Sequence, residues 1–299
     1  MATDHALLRD YAARFHRYGD LSSPVWFLDV EEGGRTSLDE LDRRLGQWDR
    51  RGRPDVDYLS GPRASVPPAW REYLCRDEGA PRLHPVWSQQ LRLLGGLCGQ
   101  SPGNEALRHL QCHVHGAPGG PTCLVSLYPL PCRSADDWVY DRVPFDGSTP
   151  FNPFETKARY RAAIREERLD TLCRLVHRYR PAVLVCMAWC ERDALLSVMD
   201  RAAPLPLDRI EGDAGAIVAS LGSTLVIVCA HPAQALRGSK NRYFVQVGKA
   251  AGQALPAGIA TRTLVAAQLP ASTGQRLGAG TGGGADSLDP LAPVLAQER

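Results

Sequence analysis

Two strand ends hold the residue types that can do chemistry. The short apolar run Val25-Trp26-Phe27-Leu28 leads into Asp29-Val30-Glu31-Glu32-Gly33-Gly34, and about 200 residues later a second apolar run, Thr224 to Cys229, leads into Ala230-His231-Pro232. In an open α/β sheet the carboxyl ends of parallel strands share one edge, so these two loops can meet across a single cleft. A carboxylate and an imidazole placed there suit cleavage of a glycosidic bond, which passes through a sugar cation while the base departs with developing negative charge. Glu31 would stabilise the cation and orient the attacking water. His231 would donate a hydrogen bond to a carbonyl oxygen of the departing base. Glu32 can share either task, because neighbouring residues on a strand point to opposite faces. The same residues also have plainer readings: two glutamates before two glycines describe a solvated turn, and a histidine before proline at a strand end can be purely structural.

The elements that would position this pair follow from hydrophobic spacing. Leu7, Leu8, Tyr11, Ala12 and Phe15 lie on one face of an opening helix over 4–18 with Asp4 as its cap. Helices are expected at about 38–48, 84–97, 152–179, 190–200 and 242–254, and strands at 25–28, 122–128, 182–187, 216–221 and 224–229. Strands separated by helical stretches predict a three-layer α/β/α sandwich around a mainly parallel, four-stranded central sheet. Residues 1–269 form a single domain in this reading, with a surface insertion near 50–80 around the proline-rich 54–68. The Gly, Ala, Ser and Thr of 270–299 predict a disordered, low-complexity tail.

Bulk properties bound the function only loosely. A chain of 299 residues with 44% hydrophobic content can bury a large core without disulfides. The net charge of +2 is too small to announce a nucleic-acid partner by itself. The charges are nevertheless uneven: no acidic residue lies between Asp213 and Asp286, a window that holds Arg237, Lys240, Arg242, Lys249, Arg262 and Arg276. Nine cysteines without regular spacing, several inside apolar runs, suit buried thiols in a reducing cytoplasm. Cys112-His113-Val114-His115 and the Cys186, Cys190 pair supply no convincing four-ligand set, so neither a metal nor another cofactor is expected. With no apolar run of membrane-spanning length, the chain is read as a cytoplasmic monomer with no membrane partner.

Taken together, these motifs resemble the uracil-DNA glycosylase superfamily. Phe27 to Gly34 is similar to the superfamily's first motif, with Asp29 at its glycine and Glu32 at its proline. Val228-Cys229-Ala230-His231-Pro232, followed by Arg237, Asn241, Arg242 and Phe244, is similar to its second. Arg168-Leu169, Leu172 and then Arg180-Pro181-Ala182-Val183-Leu184-Val185 resemble the helix, Arg-Pro and apolar strand that lie between those motifs. The likeness spans about 24–252. It implies a base-flipping DNA glycosylase with Glu31, Glu32 and His231 as catalytic residues and DNA as partner; without paired cysteines at the spacing of iron-sulfur members, no cluster is expected.

Around this core, Arg237-Gly238-Ser239-Lys240-Asn241-Arg242 takes the position of a DNA-clamping loop, whose lysine, arginines, serine and backbone amides suit phosphate contacts. Leu236 is the apolar candidate for the wedge that fills the gap left by a flipped nucleotide. Each has an ordinary reading as a basic helix-capping turn. The base pocket is assigned to Asp29, Ser126, Tyr128, Asn152 and Phe151. Ser126 is the nearest position to the superfamily's pocket asparagine, and Phe154 is a further stacking candidate. Aromatic residues near strand ends are also commonly core, and Asn152 before Pro153 is equally a helix cap. The departures from a tight uracil pocket point to a bulky modified base, such as the glucosylated hydroxymethylcytosine that some superfamily members excise in phage defence. Uracil repair, a non-catalytic DNA-binding protein of the same fold, and hydrolysis of free nucleosides remain the alternatives.

Overall fold

The computed structural model describes residues 4–33, 36–59, 71–74, 81–132, 135–200, 207–208, 216–232 and 240–255. Its elements form where local chemistry dictates. Helix α1 (His5–Arg14) starts at Asp4, whose carboxylate accepts from the Leu7 amide at 2.6 Å, and it buries His5, Leu7, Leu8, Tyr11 and Ala12. Two residues later the chain is already a strand, β1 (Arg17–Tyr18), so the opening helix is shorter than its apolar spacing suggests. Strand β2 (Val25–Glu31) then runs to Glu31 itself. Ser37 caps α2 (Leu38–Arg50) by accepting from the Glu40 amide, and Leu41, Leu45 and Trp48 form its buried stripe.

The short strand β3 (Val56–Asp57) and the single turn α3 (Arg71–Leu74) fall in the stretch read as an insertion; residues 60–70 lie outside the described residues, as does the tail after 255. Helix α4 (Pro85–Leu97) is capped by His84 with proline at its start, and α5 (Asn104–His113) follows. Strand β4 (Thr122–Tyr128) is buried at every residue. The long α6 (Lys157–Tyr179) begins five residues after Asn152 and ends at Arg180, whose left-handed backbone (φ 48°) and following Pro181 forbid another turn. Strand β5 (Val183–Met187), α7 (Arg192–Asp200), β6 (Leu207–Asp208), β7 (Ile217–Leu221), β8 (Thr224–Val228) and α8 (Lys240–Ala254) complete the order.

The sheet is mixed and larger than the sequence suggests, with eight strands in the order β3-β1-β4-β2-β5-β8-β7-β6. Within it, β4-β2-β5-β8 are mutually parallel, in a register that sets Val25 beside both Thr122 and Val183 and Leu184 beside Val226. β1 is antiparallel to β4, and β7 turns back on β8 through Gly222, so the 216–221 strand does not join the parallel set. Alternation along β2 sorts the two faces. Trp26 and Leu28 line an apolar seam with Leu169, Leu172 and Val176 of α6 and Leu195 of α7. Phe27 meets the His115 ring, and Asp29 takes Gln90 of α4. Helices therefore cover the sheet on both sides. On the Asp29 side α4 and α8 touch backbone to backbone: a Cβ on Gly96 would collide with the Val245 carbonyl oxygen, and one on Gly248 with that of Leu93.

Burial also fixes protonation. His16, His84 and His115 are each pushed down to about 3, first by burial, with Arg168 beside His16 and Arg17 beside the other two adding repulsion. All three are neutral in the folded protein. His16 Nδ1 accepts from Arg168, a buried arginine that also donates to the Ala13, Ser126 and Leu127 carbonyl oxygens. Because the folded values lie below the unfolded one, the unfolded chain binds protons first as the pH falls below about 6.5. Their contribution is fully present above that pH and is lost on descent toward 3. Denaturant titrations at pH 7 and pH 5 should therefore show a loss of about 1–2 kcal/mol per histidine; equal midpoints at the two pH values would refute the buried neutral state.

Candidate active site at the carboxyl edge of the sheet

The chain leaves β2 toward β4 on one side and leaves β5 toward β8 on the other. Where strand order reverses in this way, the loops part and open a crevice above the carboxyl ends. Glu31 closes β2 at that point, level with Tyr128 at the end of β4. His231 follows β8 on the same edge, with only β5 between, which is two strand spacings or roughly 10 Å. His231 is partly buried, and the amide of the preceding Ala230 donates to the Tyr243 hydroxyl of α8 at 3.2 Å.

Three carboxylates crowd the end of β2, and each has its own cations. Asp29 is buried: Arg17 donates to it at 2.5 Å, and the Gln90 amide nitrogen does so at 3.1–3.2 Å. Gln90 then accepts from His115 Nε2 at 2.9 Å, and His115 Nδ1 accepts from Thr122 at 3.3 Å, which fixes both the amide and the tautomer. Arg17 holds φ 129°, a backbone region costly for a side-chain-bearing residue, and the β1 pairing and this ion pair keep it there. Glu32 turns to the opposite face. It is 2% exposed and receives Arg44 on both oxygens, at 2.9 and 3.1 Å, with the Tyr18 hydroxyl at 3.4 Å. Burial drives the phenols of Tyr11, Tyr18 and Tyr140 around this pair well above their ordinary range.

Glu31 alone of the three reaches solvent, its side chain 17% exposed. Lys157 Nζ lies 2.6 Å from one oxygen and Arg161 Nη2 2.9 Å from the other. Both cations stand in the opening turns of α6, four residues apart and so on one face, where the helix dipole opposes positive charge. Glu31 supplies the offsetting anion. The Arg161 guanidinium also lies over the Tyr128 ring, 5.3 Å from its centroid. Arg165, one turn further along, pairs with Glu191 beyond β5 at 3.0 Å. Burial pushes the Tyr128 phenol up to about 12.

The other sequence-assigned residues are dispersed around this edge. Ser126, beside Asp29 in register, is fully buried, and its hydroxyl has no partner among the described residues. Tyr128 is buried beneath Arg161. Asn152 accepts from the Phe154 amide at 2.9 Å and so shapes the turn before α6, while Phe151 is 53% exposed and Phe154 is buried. Arg242 is exposed in the first turn of α8, and Lys240 opens that helix. Leu236, Arg237 and Ser239 lie outside the described residues.

Sequence reasoning missed Lys157 and Arg161. The four-residue repeat Lys157, Arg161, Arg165 on a helix face is the available signal, and apolar spacing does not register it. Among the described residues no group of three or more His, Cys, Asp or Glu is arranged to hold a metal, and no helix is long and apolar enough to cross a membrane. Compared with known proteins, the chain matches no family model and no curated protein.

The two neighbouring glutamates should respond differently to neutralisation. Glu32→Gln leaves Arg44 buried without its anion and should cost about 3–5 kcal/mol of stability. Glu31→Gln, at ion pairs that are only partly buried, should cost less, about 1–2 kcal/mol. Chemical unfolding of both variants measures the contrast, and equal losses would remove the distinction between a structural and a functional carboxylate.

Proposed function

We propose that the protein is a DNA glycosylase that hydrolyses the N-glycosidic bond of a flipped, modified base and leaves an abasic site. The observation that carries this reading is the place of Glu31: a solvent-reaching carboxylate at the strand-order reversal, on the same edge as His231. The resemblance of the β2 and β8 ends to the two motifs of the uracil-DNA glycosylase superfamily supports it.

The chemistry follows from charge. As the bond between C1′ and the base nitrogen breaks, its electron pair leaves with the base and the sugar becomes a cation. Glu31 faces that cation and orients a water, whose oxygen bonds to C1′ while its proton passes to the carboxylate and on to solvent. His231 donates a hydrogen bond to the anionic base, which is protonated on release. Glu32, held on both oxygens by Arg44 inside the opposite face, maintains the strand end and does not touch substrate. Phe151, exposed and six residues before Lys157 in the chain, offers a stacking surface. Asn152, the remaining amide among the pocket residues assigned from sequence, is already bound to the Phe154 backbone, which favours a bulky modified base over close reading of uracil. Glucosylated hydroxymethylcytosine, met in phage defence, is the substrate class this suggests.

A second reading, a non-catalytic DNA-binding protein, draws on the fact that both oxygens of Glu31 are engaged by cations. Purified protein incubated with duplexes containing uracil, alkylated, deaminated or glucosylated bases, then treated with alkali, separates the two. Catalysis requires alkali-labile sites on at least one substrate and a fall of about 100-fold or more in rate for Glu31→Gln and for His231→Ala. Intact strands across the whole panel would leave only binding, and a Glu31→Gln protein that cleaves as fast as the unaltered one would remove Glu31 from the reaction.

A further inference from the structure

Glu31 has two cations for one charge. Lys157 and Arg161 together leave the cluster with a net positive charge, the wrong sign beneath a sugar becoming a cation. The reading of the edge as a glycosylase site, on which this inference rests, therefore needs a further anion that arrives with the substrate. DNA carries one on each side of a flipped nucleotide.

We propose that Lys157 and Arg161 form a seat for the phosphodiester backbone, occupied in the free protein by Glu31, so that binding of the backbone draws the two cations away and leaves the carboxylate to the sugar. The geometry suits such an exchange. Lys157 stands at the start of α6 and bonds Glu31 through its terminal nitrogen, a point charge that accepts any anion within reach. Arg161 uses Nη2 for Glu31, while its Nε has no acceptor among the described residues. The guanidinium rests on Tyr128, which holds its plane at the crevice while leaving the choice of anion open. The first turn of a helix adds a field that favours a phosphate. Lys157 and Arg161 are here binding residues; their effect on Glu31 is indirect. The device also explains how one site would discriminate polymer from nucleoside: a free nucleoside brings no phosphate, and Glu31 stays neutralised.

The test uses the full chain and a fluorescein-labelled DNA duplex, with affinity measured by anisotropy over a range of salt concentrations. Lys157→Met and Arg161→Met should each bind more weakly and reduce the slope of log affinity against log salt by about 0.9, the signature of one lost phosphate contact. Lys157→Arg should restore the slope. Glu31→Gln, which removes the competing anion, should bind the same duplex more tightly than the unaltered protein, although the glycosylase reading has it lose turnover. Thermal melts accompany each variant, and the tighter binding of Glu31→Gln cannot come from misfolding. Unaltered slopes in both methionine variants, or weaker binding by Glu31→Gln, would overturn the seat while leaving the glycosylase reading intact. Failure of the unaltered protein to bind the duplex at any salt concentration would overturn both.

Discussion

A buried strand that ends in Asp29, Val30, Glu31 and Glu32 places three negative charges within four residues of an apolar core, and such charges are tolerated only when each is matched. The protein meets this constraint three separate times: Arg17 and Gln90 on one face, Arg44 on the other, and Lys157 with Arg161 at the edge. Where each cation comes from decides what its carboxylate can do. The Arg17 and Arg44 pairs are closed to solvent and tie β1 and α2 to the central strand. The edge cluster is the one of the three whose carboxylate reaches solvent.

Topology gives that open pair its importance. The order of connections in the parallel set β4-β2-β5-β8 reverses between β2 and β5, so the carboxyl end carrying Glu31 lies where connecting loops diverge. Helix α6 crosses back from that edge and starts with the two cations, and β8 delivers His231 to the same side. The backbone contact of α4 with α8 through Gly96 and Gly248 holds the helix that follows the His231 loop against the core. The seam among Trp26, Leu28, Leu169 and Leu172 lies between the sheet and α6 and is lined by apolar side chains and the Cys173 thiol, which burial pushes up, so it is packing and not a reaction site.

Much of this frame was legible in the sequence because buried parallel strands are continuous apolar runs. Thr122 to Tyr128 is a strand at the limits its residues suggest, and Val25 and Val183 open theirs as expected or within one residue. The two-residue strands β1, β3 and β6 carry no pattern, and together with the antiparallel β7 they extend the four parallel strands to a sheet of eight. Helix α5 leaves little trace in the sequence because its buried face is only Leu107, Leu110 and Gln111. Asn152 has a capping side chain, but the turn it caps precedes α6 instead of starting it. The acidic strand end was readable as a candidate site; the division of labour within it was not. Nothing local distinguishes Glu31 from Glu32, since the difference lies in partners at Lys157 and Arg44 that only the fold brings near.

The proposed reaction requires Glu31 to present negative charge to a cationic sugar at this edge. The most direct measurement compares two DNA duplexes that lack one base, the missing nucleoside replaced in one by a cationic pyrrolidine and in the other by a neutral tetrahydrofuran. Tighter binding of the cation by about tenfold or more, abolished in Glu31→Gln, is the expected result. Equal affinity for the two duplexes, or a preference for the cation that persists without the carboxylate, would contradict it.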